Sequence, residues 1–170
     1  MISTVIPDIK KILYTTDLSE NARYAFGYAA AIANRFDANI TVLHVLQNMS
    51  PFADSLVMNV IGEKKWEELR KSNQQKVLDT VQERLEKFCD DTNRETPACD
   101  FITERVVIEV GNPVEEILRY VKKFDCDLVV MGAHGHGTIG DAMMGSTSRR
   151  VLRRCRKPVL VVRLPEKAGA

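Results

Sequence analysis

DLVVMGAHGHGTIGDAMMGSTSRRVLRRCRKPVLVVR, residues 127–163, decides the fold. A six-residue run of strand character, 127–132, ends on Gly132. A loop follows that packs Gly132, Gly135, Gly137, Gly140 and Gly145 into fourteen residues. Ser146 then opens a helix predicted to run to residue 156, and a last β-branched run, Pro158 to Arg163, closes the segment. Strand, loop, helix, strand is a βαβ unit, and such a crossover joins parallel strands.

Working outward, the same alternation fills the chain. Residues 9–15 (IKKILYT) predict a first strand, followed by Asp17-Leu18-Ser19 and a helix over 20–35 in which Ala22, Phe26, Ala29 and Ala33 recur at helical spacing. Residues 39–46 (NITVLHVL) form an almost unbroken apolar strand, as expected where helices cover both faces of a sheet. Residues 49–62 read as a loop or a short irregular helix. A long amphipathic helix is predicted over 63–89, with Trp66, Leu69, Val77, Val81, Leu85 and Phe88 along one side and Trp66 a core or interface anchor. The polar linker DDTNRETPA leads to a third strand over 100–110. Asn112 and Pro113 then start a helix as cap and first residue, with Glu115 and Glu116 at its positive end. The pattern predicts one α/β domain over residues 1–170, without repeats or low-complexity segments.

Composition removes several classes of function. The 170 residues carry 24 Lys and Arg against 23 Asp and Glu, a formal charge of +1, so no bulk field draws the chain to nucleic acid or an anionic membrane. From Arg149 to Lys157 six of nine residues are basic, which reads as a solvated helix face with cations near the helix C-terminus; aromatic interleaving is absent and nucleic acid is not the expected partner. The longest apolar run, FGYAAAIA at 26–33, is too short to span a membrane, and the opening residues lack a secretory pattern. Cys89, Cys99, Cys126 and Cys155 are scattered without a C-x-x-C pair, so reduced, packed thiols in a cytoplasmic protein are expected rather than disulfides or zinc.

Ligands of open parallel sheets sit beyond the carboxyl ends of the strands, where strand order reverses. With the order 3-2-1-4-5 the reversal falls between strands one and four, and the loops holding Asp17 and Gly132 face one another. Glycine allows close approach of main chain to a bulky ligand, and free N–H groups running into a helix N-terminus cradle an anion. A helix start needs one capping residue rather than five glycines, so the segment reads as a phosphate cradle with Ser146, Thr147 and Ser148 supplying hydroxyls. On this reading Gly145→Val fills phosphate space while leaving the fold intact. The P-loop spacing G-x-x-x-x-G-K-[ST] fits residues 140–147 except that Ser146 stands in place of lysine, which argues against P-loop hydrolysis. Gly135-His-Gly-Thr-Ile-Gly140 matches G-x-G-x-x-G but lacks an acidic residue about 20 positions on. The pattern G-x-x-G-x9-G-[ST] is met in full by Gly132, Gly135, Gly145 and Ser146. Asp17 reads either as a helix cap or, facing this loop, as a ligand-binding carboxylate. The His134 and His136 pair lacks a third metal ligand nearby.

With ILYTTDLSE, TVLHV, GNPVEEI, VVMGAHG, GSTSRRV and PVLVV in order along the chain, the sequence resembles the universal stress protein family, in its ATP-binding branch. The resemblance implies a Rossmann-like open five-stranded parallel sheet of order 3-2-1-4-5 with helices on both faces. It also implies roles: Asp17 on the ribose, Thr15 on the adenine side, the Val45 main chain at the adenine edge, and Met131 and Gly132 flanking the nucleoside. Gly135, Gly145, Ser146, Thr147 and Ser148 would hold the phosphates of ATP, with AMP or ADP as further ligands and Mg2+ or Mn2+ accompanying the nucleotide. Thr15 replaces a proline or valine common in the family, and His136 replaces a basic residue. Ala133 stands where nucleotidyl-transferring relatives of this fold carry their first histidine.

The expected function is therefore nucleotide-binding regulation in a stress response, with at most slow ATP hydrolysis or autophosphorylation within 146–148. A nucleotide-using enzyme (ATPase or adenylyl transferase) and a nucleotide-free interaction module are the alternatives. The last strand, Pro158 to Arg163, is an apolar edge that pairing with a second copy would cover, which predicts a homodimer.

Overall fold

The computed structural model describes residues 6–92, 105–135 and 144–165, with side chains of 88–92 left aside. Five strands, β1 (Lys11–Thr16), β2 (Asn39–Gln47), β3 (Arg105–Gly111), β4 (Leu128–Gly132) and β5 (Val159–Val162), lie side by side in the order β3-β2-β1-β4-β5. All four pairings are parallel. The expected sheet and its order are thus observed. The registers Thr15↔Leu43 and Thr15↔Met131 bring the ends of β2, β1 and β4 level at one edge of the sheet.

Among the described residues five helices connect the strands: α1 (Glu20–Phe36), α2 (Pro51–Ile61), α3 (Glu63–Thr92), α4 (Pro113–Lys123) and α5 (Ser146–Arg154). Side chains alternate across the strands, so each strand feeds two cores. Ile12, Tyr14, Ile40, Val42 and Val130 pack with Ala25, Phe26, Ala29 and Ala33 of α1 and with Val81 and Leu85 of α3. Leu13, Leu43, Val129 and Met131 pack with Val114, Ile117, Tyr120 and Val121 of α4 and with Val151 of α5. Full burial of each Leu, Ile or Val contributes roughly 1.5–3 kcal/mol, so the central strands, closed on both faces, dominate the core. The alanine-rich face of α1 lets that helix lie close to β4 and β1.

Local signals act where the sequence places them. Asn112 Oδ1 accepts from the N–H of Val114 (3.0 Å) and of Glu115 (3.3 Å), with Pro113 at the first helical position. Residues 49–62, read as loop or irregular helix, form a regular helix, capped by Ser50 Oγ accepting from Ala53 N, with Pro51 first and Gly62 past its end. None of its residues is buried; Phe52 and Val60 are 74% and 82% exposed. The α3 stripe also differs from expectation. Val81 and Leu85 are buried, but Leu69 is 49% exposed. The side chains of Phe88 and Cys89, together with Cys99 and residues 100–104 of the expected third strand, fall outside what is described. Cys126 and Cys155 are free thiols, the first buried. No helix among the described residues is long and apolar enough to cross a membrane.

Candidate nucleotide site

The loop after β1 is held by its own side chains. Thr16 Oγ1 accepts from Leu18 N and Asp17 Oδ1 from Ser19 N, both at 3.0 Å. Ser19 Oγ accepts from Ala22 N, so Ser19 is the α1 cap and Asp17 is not. Leu18 takes φ 66°, a left-handed conformation costly for a branched side chain, and its carbonyl accepts from Arg84 Nη1 of α3. This unusual backbone fixes the turn that carries Asp17.

The loop after β4 is pinned by main-chain and buried side-chain bonds. Ala133 N donates to Val162 O at 2.7 Å, and Gly145 N donates to Ala133 O at 2.8 Å, joining the two ends of the loop. Helix α5 follows at once, with Gly145 as N-cap and no side chain capping it among the described residues. Its first-turn N–H groups have no intrahelical acceptors, and they open on the same side as Asp17. Ser146 is thus the first helical residue and not the cap.

Between the loops lies a cavity of about 650 Å³. Thr15 and Asp17 of the first loop, Val45 of β2, and Met131 and Gly132 of β4 line it. So do Gly135, Gly145, Ser146, Thr147 and Ser148. The ten residues singled out from the sequence therefore meet at one place, beyond the carboxyl ends of β1, β2 and β4. They differ in what they offer. Ser146 is exposed and Thr147 half-buried, whereas Ser148 is buried with its hydroxyl donating to Ala133 O (2.9 Å) or Gly145 O (3.0 Å). The Ser148 side chain stitches the loop, leaving its main-chain N–H as its offering to a ligand.

A side chain would be crowded at two of the glycines. A Cβ on Gly135 would lie 2.3 Å from Asp17 Oδ2, closer than any side chain tolerates. A Cβ on Gly145 would meet Ala133 O at 3.1 Å and Ser148 Oγ at 3.4 Å. The second contact corrects the expectation for Gly145→Val: the added atoms strike the protein's own loop before they reach phosphate space, so the loop itself must move.

Other lining residues carried no assignment from the sequence. His44, 8% exposed, approaches Thr16 O through Nδ1 at 2.7 Å; a carbonyl only accepts, so the proton sits on Nδ1. Its place in TVLHV gave no signal, because an apolar strand hides which residue reaches its end. Pro113 and Ile117 of α4 complete the apolar wall beside Val45. Asn21, 3% exposed, accepts the His134 N–H on Oδ1 at 2.7 Å and donates from Nδ2 to Val162 O at 3.1 Å. A polar residue within an alanine-rich helix was its only sequence cue. His134 Nε2 is buried without a partner among the described residues, and no three potential metal ligands gather there. His136, Gly137 and Gly140, and with them the G-x-G-x-x-G match, lie outside the described residues. A second cavity, about 40 Å³ among Tyr14, Phe26, Val42, Val81 and Leu85, is far too small for a nucleotide.

A parallel sheet of this order, with a glycine loop facing the Asp17 loop at the switch point, defines an open α/β domain of the class that receives ligands beyond the carboxyl ends of its strands. Residues 8–163 match the Universal stress protein family, and the chain belongs to it. Universal stress protein MJ0577 of Methanocaldococcus jannaschii is 29% identical over 158 residues, covering 91% of this chain and 94% of that one. The solved structure of MJ0577 superposes with a TM-score of 0.73 at 26% identity, over 95% of this chain and all of that one. UspA from Lactobacillus plantarum gives 0.70 at 26% identity over 93% of this chain and all of that one. A universal stress protein solved in complex with cAMP shares the fold at 22% identity, with a TM-score of 0.58 over 92% of this chain and 98% of that one.

Proposed function

We propose that the chain binds ATP in the cavity between the Asp17 loop and the glycine loop and acts as a regulatory stress-response protein. One observation carries this reading: Asp17 and the uncapped start of α5 open onto a single cavity of about 650 Å³, which suits a nucleotide. On this reading Asp17 accepts hydroxyl hydrogens of a ribose. The N–H groups of residues 146–148 and the hydroxyls of Ser146 and Thr147 suit phosphate oxygens. Thr15, Met131, Gly132 and the Val45 main chain would border the nucleoside, with AMP and ADP fitting the same frame. The donor set of N–H and hydroxyl groups fits a cation carried on the phosphates, Mg2+ or Mn2+, better than one held by protein carboxylates.

The cAMP complex of a related fold is consistent with this reading. Regulation rather than rapid turnover is favoured because the chemistry the site offers is orientation and charge neutralisation. The wider reading places the protein in the cytoplasm as a homodimer that pairs strand β5, an edge of the sheet, with its copy.

Mass spectrometry of molecules co-purifying with the protein, followed by calorimetric titration with Mg-ATP, tests the reading. An adenine nucleotide recovered at near one equivalent, with ATP binding by the stripped protein, is the expected result. A chain that carries no nucleotide and takes up none would leave the nucleotide-free interaction role, and rapid phosphate release would place it among enzymes.

A further inference from the structure

Beyond the residues that would touch a ligand, the loop has a buried holder. Asn21 is the second residue of α1 and 3% exposed, and its amide is bonded through both its oxygen and its nitrogen. Oδ1 takes the His134 N–H at 2.7 Å, and Nδ2 gives to Val162 O at 3.1 Å. Val162 O also receives Ala133 N at 2.7 Å. The amide therefore lies between the end of β5 and the first residues of the glycine loop. Gly132 closes over it, since a Cβ there would stand 3.1 Å from Oδ1.

We propose that Asn21 is the positioning residue of the phosphate loop: its amide sets where the main chain leaves β4, and so where Gly135 stands opposite Asp17. This inference rests on the nucleotide reading above and deepens it, assigning Asn21 to recognition of the phosphate tail as distinct from the nucleoside. The chemistry of the position is specific. Leucine has nearly the same shape but leaves the His134 N–H buried without an acceptor. Aspartate keeps the acceptor but turns an oxygen toward Val162 O, where a donor is needed. Only a carboxamide meets both partners. On the other side of the loop, Gly145 N and Ser148 Oγ converge on Ala133 O, so residues 133 and 134 are fixed from two directions. Release of one side lets the loop drift from the α5 N-terminus while Thr15, Val45 and Met131, held by the sheet, stay in place.

Calorimetric titration of wild type, Asn21→Leu and Asn21→Ala with Mg-ATP and with adenosine tests the assignment, folding being verified by circular dichroism. The expected result is an ATP Kd raised roughly tenfold in the variants, with the adenosine Kd within about twofold of wild type. A merely structural role would weaken both ligands alike, and an unchanged ATP-to-adenosine ratio overturns the assignment while leaving the nucleotide reading intact. Wild type binding neither ligand overturns the nucleotide reading and this inference with it. Should neither variant fold, hydrogen exchange on the wild type decides: a protected His134 amide is expected, and exchange at the unprotected rate overturns the latch.

Discussion

Gly135 approaches Asp17 so closely that a methyl group on its Cα would sit 2.3 Å from the carboxylate Oδ2. The two residues are more than a hundred positions apart in the chain, yet any side chain at 135 would have to push the Asp17 carboxylate aside. The missing side chain at 135 is thus part of how the acidic loop is placed.

Gly135→Ala is accordingly expected to displace the Asp17 carboxylate while the sheet and both cores stay intact. The melting temperature should change little, and calorimetry should show Mg-ATP affinity lowered roughly tenfold, the cost of displacing one charged hydrogen-bonding group. Affinity equal to wild type would mean that the Asp17 position does not matter to binding.

Gly145→Ala should act through the loop closure. Its Cβ would press on Ala133 O at 3.1 Å, so the Gly145 N to Ala133 O bond must lengthen or shift. A loss of about 1 kcal/mol in urea denaturation is expected, along with weaker ATP binding. Full stability with lost binding would show that the side chain points into ligand space after all.

Tyr14 is buried on β1, and its hydroxyl donates to Ala22 O at 2.7 Å across to the first turn of α1. Burial holds its phenol protonated well above the usual tyrosine range, so this bond persists at any working pH. Tyr14→Phe should cost about 1 kcal/mol, read as a lower urea midpoint with unchanged slope. No loss would show that water replaces the bond without penalty.

Cys126 gives the alkaline behaviour. Burial first, then the charge of Asp127, pushes its thiol from 9.0 up to about 11. Above pH 9 the unfolded chain loses this proton while the folded chain keeps it, so the contribution is complete below pH 9 and disappears between about pH 9 and 11. Stability should fall with rising pH across that window by an order of 2 kcal/mol, and Cys126→Ser or Cys126→Ala should flatten the slope. At pH 8, mass mapping after brief alkylation should find Cys155 modified ahead of Cys126, which reacts on unfolding. Equal labelling of the native thiols would contradict the burial.

Phe52, Leu56 and Val60 form an exposed stripe on α2. Replacing them together with glutamine should leave the melting temperature within about 2 °C of wild type, since exposed apolar groups bury nothing on folding. A large drop would reveal packing that covers this face in solution.

Much of this was legible along the chain because the signals are local or periodic. Apolar runs of strand length separated by helical patterns specify parallel βαβ units, and Asn112-Pro113 marks a helix start through its own hydrogen bonds. Gly132, Gly135, Gly145 and Ser146 announce a loop that must come close to something, and the switch-point rule says where that loop lies. Residues 49–62 were less readable: none of the apolar residues of α2 is fully buried, so helical periodicity carried no clear burial signal, and Ser50, Pro51 and Gly62 were the usable marks.

The sequence by itself therefore determined the order of elements, the placing of helices on both faces of a parallel sheet, and the two loops that face one another at its switch point, since each follows from side-chain period, caps and glycine spacing; Thr15, Val45 and Met131 entered only through the family resemblance. Only the tertiary structure decided that Ser148 turns its hydroxyl into the loop, that Ser19 rather than Asp17 caps α1, and that Leu69 stands in solvent. It alone joined Asn21 to His134 and Val162. The caps and exposures depend on which of several competing local partners the folded backbone favours, and the Asn21 bonds on groups 113 and 141 positions away, a distance that no local pattern encodes.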